Sequence, residues 1–218
     1  MLNKMSVYSM MFLEKAREDG FFKTLGRSFY SSQEAVPAHC DLMNLKPEKH
    51  PLEQFGCEIR QVSRADQVDH LQYSLRSRKL KVENNIRKGY QSFILIKENN
   101  VIGDIWFTPA GGPKSRPHRD LELLGIDLGP HQAYAFDLYV SKQERGKDLT
   151  TSFMTGALKR LREMGFSRIY GYYMAKNIPA LWIHRLIGYK EMPRIRIRSL
   201  LFFRMSRAKV GNLPKAPE

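Results

Sequence analysis

Cysteine is scarce. Cys40 and Cys57 are the only two in 218 residues, without the paired Cys/His spacing of a zinc site around them. This excludes a disulfide framework and a zinc module, and it makes a reducing, cytoplasmic setting the expectation, with no metal. No apolar run of about eighteen residues occurs, so no transmembrane helix is expected. The N-terminal MSVYSMMFL is short and soon followed by Glu14 and Glu18, which does not read as a signal peptide. Internal repeats and low-complexity tracts are absent. So are helix-turn-helix, zinc-finger and RNP-like patterns, and sequence-specific nucleic-acid recognition is therefore not expected.

Acidic residues are also in short supply. Against 22 Asp and Glu stand 36 Lys and Arg, a formal charge of +14. Such an excess draws a protein toward polyanions: nucleic acid, anionic lipid, or a phosphate-rich cofactor or substrate. Composition does not choose among them, and plain solubility is an equally economical reading.

A helix is expected over Ser6–Arg17. Beyond it Phe21, Phe22, Leu25 and Phe29 form an apolar stripe at helical spacing, with Lys23 and Arg27 opposite. The stripe either covers a hydrophobic face of the domain or of a partner subunit, as in a homodimer, or lies in a membrane interface. A peripheral membrane contact through residues 6–30 thus stays open. Pro37, Pro47 and Pro51 make residues 37–51 read as a linker. Cys57–Ser63 reads as a strand, with Asp66 capping a following helix. Leu80–Lys88 reads as a second helix ended by Gly89. QSFILIKE and NVIGDIWFT flank an Asn99-Asn100 turn, a hairpin signal.

Thr108–His131, with Pro109, Gly111, Gly112, Pro113 and Pro117, reads as a long functional loop whose LELLGIDLG part packs or forms a short strand. After the strand AYAFDLYV comes a basic turn and a helix over Leu149–Met164, with Leu149, Phe153, Ala157, Leu161 and Met164 on one face. A strand over Ser167–Ala175 follows, then a helix opened by Asn177 with Pro179 in its first turn. RIRIRSLLFFRM alternates basic and apolar residues as one or two half-buried strands.

A strand that delivers the chain into a turn at a helix N-terminus builds an anion cradle. The first amides of the helix lack partners, and its dipole favours negative charge. Here Arg145, Gly146 and Lys147 stand in that turn, and Asp148, Leu149, Thr150 and Thr151 follow. This order of pieces resembles the GNAT superfamily of acyl-CoA-dependent N-acetyltransferases, over roughly Cys57 to Arg204. In that family the fourth strand ends in an Arg-Gly-x-Gly-x-Gly/Ala turn around the coenzyme A pyrophosphate. Arg145-Gly146-Lys147 matches its opening, while Asp148 and Thr150 replace the later glycines. The second signature is an Asn, an Ala three residues on, then Tyr and Leu-Gly-Phe. Asn177, Ala180, His184 and Ile187-Gly188-Tyr189 keep that spacing with two aromatic positions changed.

The resemblance implies an α+β fold: a mixed, mostly antiparallel sheet flanked by helices, its fourth and fifth strands splayed apart. It also implies acetyl-CoA or another acyl-CoA as cosubstrate, and direct acyl transfer to a small-molecule amine, an amino sugar among them. Leu138, Tyr139 and Val140 would line the pantetheine arm through their backbone, and residues 145–151 would hold the pyrophosphate. Asp137, a carboxylate in an apolar strand, is either the general base or half of an ion pair with an arginine. Glu122 and Asp127 are alternative bases. His184 stands where the family often places the Tyr that protonates the leaving thiolate; it is either that donor or a packing residue, and Tyr139, Tyr172 or Tyr173 could substitute. Asn177 either bonds the pantetheine or caps its helix. The expected organisation is an extension and linker over 1–55, the acyltransferase-like domain over 56–206 and a tail over 207–218. The rival reading is a non-catalytic module of this fold that binds an anionic surface.

Overall fold

The computed structural model describes residues 4–19, 30–47, 50–110, 118–146, 148–200 and 203–207. The aromatic stripe expected over Phe21–Phe29, Lys147 and the first half of the loop after Pro109 lie outside the described residues. In chain order the elements are α1 (Lys4–Asp19), β1 (Tyr30–Asp41), β2 (Cys57–Val62), β3 (Gln72–Tyr73), α2 (Arg76–Arg87), β4 (Gln91–Lys97) and β5 (Asn100–Pro109). There follow α3 (Arg119–Leu124), β6 (Gln132–Val140), α4 (Leu149–Glu163), β7 (Arg168–Met174), α5 (Ile178–Ile187), β8 (Lys190–Glu191), β9 (Ile195–Leu200) and β10 (Phe203–Arg207).

These strands make one 10-stranded sheet with the order β10-β9-β1-β7-β6-β5-β4-β2, β3 pairing with β5 and β8 with β1. Along that path every pairing is antiparallel except β6–β7. The α+β mixed sheet flanked by helices is therefore present. β4 is buried on both faces, in keeping with its unbroken apolar run FILI. Its link to β5 turns at Glu98 and Asn99, both with positive φ, one residue earlier than the Asn99-Asn100 expectation.

One face of the sheet carries α4, whose Leu149, Phe153, Met154, Ala157, Leu158 and Leu161 enter the largest apolar cluster. Met164, expected on that face, is 41% exposed, because the helix has already ended at Glu163. Two further clusters hold other parts of the core. Val82 of α2 packs with Ile94, Val101 and Trp106, and Leu121 and Leu124 of α3 pack with Tyr134, Ile195 and Ile197. The helix expected after Asp66 is only a 3-10 turn over Ala65–Gln67. LELLGIDLG contributes to α3 rather than to a strand.

The largest departure concerns residues 37–51. They were expected to be a linker, but residues through Asp41 belong to β1, which lies between β7 and β9 in the sheet. Ala35, Val36, Ala38 and Cys40 are core residues, so this part of the 1–55 segment is built into the sheet. The proline fits for a specific reason. The Pro37 carbonyl accepts from the Met192 amide, so its nitrogen faces the same side, where β1 changes partner from β9 at Ala35 to β8 at Ala38. The missing N–H thus falls in a gap of the ladder. The Cys40 thiol in this strand is free, and burial pushes its pKa up to about 11.

A chain shortened to begin at residue 56 is expected to lose cooperative thermal unfolding, because β7 would lose its whole outer partner and the core six buried side chains, Ala35, Val36, Ala38, Cys40, Leu42 and Leu52. Circular dichroism on heating tests this. A sharp transition near that of the full chain would show β1 to be dispensable.

Candidate active site

β6 and β7 run parallel but pair only through Gln132↔Arg168, Ala133↔Ile169 and Tyr134↔Tyr170. Beyond these they part, while their outer neighbours hold on: β5 follows β6 to Val140, and β1 follows β7 to Met174. The split therefore opens well before the strands end at Val140 and Met174. At its base the strands stay close, since a Cβ on Gly171 would sit 3.3 Å from the Ala135 carbonyl oxygen.

Which groups of β6 face the gap follows from its other edge. The Ser141 amide donates to the Ile102 carbonyl, and the Tyr139 carbonyl lies against Gly103, 2.9 Å from where a Cβ would be. Alternation then turns the backbone N–H and C=O of Leu138 and Val140 into the split, on an edge that no strand covers. Carboxyl ends of parallel strands that diverge are a favoured place for a ligand in open sheets.

A bulge sets this arrangement. Asp104 faces Tyr139 and Trp106 faces Phe136, so Asp137 and Leu138 together oppose Ile105. Asp137 has φ 58°, a left-handed conformation that costs an L-residue about 1–2 kcal/mol. Its carboxylate is held from α2 by Arg78 Nη1 at 3.1 Å and by Lys81 Nζ at 2.5 Å. Arg78 is buried, also donates through Nε and Nη2 to the Asp104 carboxylate, and lies 4.5 Å over the Tyr139 ring. The Trp106 indole N–H donates to Asp104 at 2.8 Å. Burial alone would depress the guanidinium pKa, but Asp104 and Asp137 outweigh it and hold it above its ordinary value. Of the two roles open to Asp137, the ion pair is the one the structure contains. Its cationic partners escaped the sequence reading. The signal for Arg78 was its place one turn before Val82 on the buried side of α2, and for Asp104 a carboxylate between Ile102 and Trp106.

The turn after β6 closes against the end of the strand. Arg145 Nε donates to the Val140 carbonyl at 2.8 Å, and Glu144 pairs with Lys97 at 3.0 Å. Gly146 has φ 101° and Asp148 φ 64°; aspartate is among the few residues that enter this region readily, so it can stand where a glycine would otherwise be needed. Its exposed carboxylate lies 3.6 Å from His50 Nε2. Leu149 is buried and opens α4, with Thr150 and Thr151 half-buried in the first turn.

Asn177 caps α5, its Oδ1 accepting from the Ala180 amide at 3.3 Å. His184, one turn from the end of α5, is 8% exposed, between the rings of Tyr173 at 4.8 Å and Tyr189 at 4.7 Å. Its Nδ1 meets the Ala180 carbonyl at 2.7 Å, which assigns the proton to that nitrogen. Burial, only partly offset by this bond, lowers its pKa below the ordinary value. The ring is thus enclosed on the buried side of α5. On the face of α3 the Tyr172 hydroxyl donates to Asp120 at 3.2 Å, while Glu122 and Asp127 are exposed. A surface depression of about 440 Å³, lined by Glu53, Cys57 and Arg60 among others, lies at the β2–β4 edge rather than at the split.

A split parallel pair, a bulged β6 and a helix N-terminus after a basic turn agree with the family comparison: residues 57–189 match the model of the Acetyltransferase (GNAT) family. The chain belongs to the GNAT family. Solved structures of low identity agree on the fold. The GCN5-related glucosamine N-acetyltransferase region of a fungal multi-domain GH3 β-N-acetylglucosaminidase superposes with a TM-score of 0.55 at 14% identity, covering 85% of this chain and 23% of that one. A Drosophila protein gives 0.52 at 12% identity, covering 88% and 58%, and a GCN5-related N-acetyltransferase from Sphaerobacter thermophilus gives 0.50 at 9%, covering 84% and 56%. The chain thus spans less than two thirds of each of these proteins. No curated protein matches it. Among the described residues no helix is long and apolar enough to cross a membrane.

Two outcomes follow from the buried charges. Arg78→Met leaves Asp104 without its cation, and urea unfolding is expected to show a loss of about 3–5 kcal/mol; a loss below 1 kcal/mol would contradict the network. For His184 the folded pKa is depressed, so the unfolded chain takes up the proton first. Stability should fall as pH drops through about 6.5, the unfolded value, toward the folded one. His184→Gln should flatten that fall in thermal melts between pH 8 and 5; an unchanged slope would place the sensitivity elsewhere, as at His39, whose pKa burial also lowers.

Proposed function

We propose that this GNAT protein transfers an acetyl or other short acyl group from acyl-CoA directly to an amine. The observation that carries the reading is the split itself, which presents the Leu138 and Val140 backbone at the carboxyl ends of β6 and β7. Aminolysis of a thioester asks for a donor to the developing oxyanion and a route for protons, more than for a particular side chain. In this proposal the Leu138 amide and carbonyl and the Val140 amide bind the pantetheine arm, and one of these amides donates to the thioester oxygen; the Val140 carbonyl is already taken by Arg145. Tyr139, on the opposite edge, packs under Arg78 and keeps the bulge in shape. The Gly146–Thr151 turn and the start of α4 receive the pyrophosphate, with Arg145 and Lys147 as its cations. The residues present fit this group with one departure, the negative charge of Asp148.

Asp137 and His184 then serve as positioning residues, the first through the bulge and the second by packing α5 on Tyr173. Asn177 fixes the start of α5 beside the end of β7. The amine attacks the thioester carbon, the C–N bond forms to give a tetrahedral oxyanion, and its collapse breaks the C–S bond; the amine proton leaves to solvent and the coenzyme A thiolate takes one up from solvent. An amino sugar is the acceptor class to test first; the exposed Arg194, Arg196 and Arg198 would suit one linked to a phosphate. The second reading, a module that binds without turnover, draws on the engaged Asp137 and the enclosed His184.

Calorimetric titration with acetyl-CoA should give micromolar binding. Arg145→Glu should weaken it about tenfold or more, and Asp148→Gly should leave it equal or tighter. Thiol release measured over a panel of amines separates the readings. Binding with no release would favour the non-catalytic module, and no binding at millimolar acetyl-CoA would remove the proposal.

A further inference from the structure

α5 buries one side and leaves another bare. Leu181, His184 and Ile187 turn inward, while Ile178, Trp182 and Leu186, spaced by four residues, are 53%, 58% and 49% exposed. At about 100° per residue these three fall within one narrow stripe. An exposed tryptophan in the middle of such a stripe is expensive in water and needs a reason.

The surroundings are cationic. Lys176 precedes the helix, Lys190 follows it, and Lys46 reaches its far end, its Cε 3.9 Å from where a Cβ on Gly188 would be. All three lysines are exposed. The helix itself holds no acidic residue, and nearby Glu191 is neutralised by Arg185 at 2.8 Å. The apolar stripe is thus bracketed by positive charge at both ends, on a chain of net +14.

We propose that this face of α5 docks on an anionic lipid bilayer. Ile178 and Leu186 would enter the acyl boundary, Trp182 would sit at headgroup level as interfacial tryptophans do, and the lysines would meet lipid phosphates. A second copy of the chain is a poorer occupant. Three half-exposed side chains offer far less than the roughly 800 Å² per partner that a stable dimer needs, and the bracketing lysines would repel their counterparts. The contact is separate from the one weighed for residues 6–30, and it does not depend on the acyltransferase reading.

The chain carries its own reporter. Its other tryptophan, Trp106, is fully buried and bonded to Asp104, so a change in emission on binding belongs to Trp182. The full-length protein would be mixed with vesicles of phosphatidylcholine alone and with vesicles containing phosphatidylglycerol. Expected are co-sedimentation and a blue shift with the anionic vesicles only, both reversed by high salt. Trp182→Ser should raise the lipid concentration for half-binding about tenfold or more, and Ile178→Ser should do so by several-fold. Equal binding by wild type and Trp182→Ser would overturn the proposal and assign any attachment to other surfaces. So would no binding at all. So too would self-association without vesicles that Trp182→Ser abolishes, since that would make the stripe a protein interface.

Discussion

Two strands that would otherwise zip together are pulled apart from outside. β5 keeps β6 and β1 keeps β7 well beyond the point where their mutual ladder ends at Tyr134 and Tyr170. The acyltransferase reading depends on that constraint. It leaves backbone groups of Leu138 and Val140 unclaimed by any strand, at the same end of the sheet as the N-termini of α4 and α5. A gap of this kind is costly unless something binds in it, because backbone polar groups do not remain unpaired without water or a ligand.

The buried charges serve the same geometry. Asp137 takes a left-handed conformation in the bulge, and Arg78 with Lys81 fixes its carboxylate to α2. Arg78 simultaneously satisfies Asp104, which also accepts from Trp106. Removing one member leaves another charge buried without a counter-ion, so the network specifies position more than it adds stability. Asp137, which the sequence offers as a base or as half of an ion pair, is paired with Arg78 and Lys81.

Local patterns made much of this legible. The α4 face, the β4 run, the Asn177 cap and the strand–turn–helix around Arg145 each depend on neighbouring residues, and each is found. Non-local matters escaped. Nothing near Pro37 reveals that β8 and β9 leave a gap for its missing N–H. The point at which β6 and β7 part is decided by β1 and β5, not by either strand. The partner of Asp137 is Arg78, 59 residues away, which no local pattern points to. His184 kept the family spacing, and only its enclosure by Tyr173 and Tyr189 favours packing.

Hydrogen–deuterium exchange across β6, with and without acetyl-CoA, tests the central claim most directly. If the split edge receives the pantetheine arm, the Leu138 and Val140 amides slow on adding the ligand, while amides already laddered to β5, such as Ser141, change little. Bound acetyl-CoA that leaves the Leu138 and Val140 amides at their free rates would contradict the account.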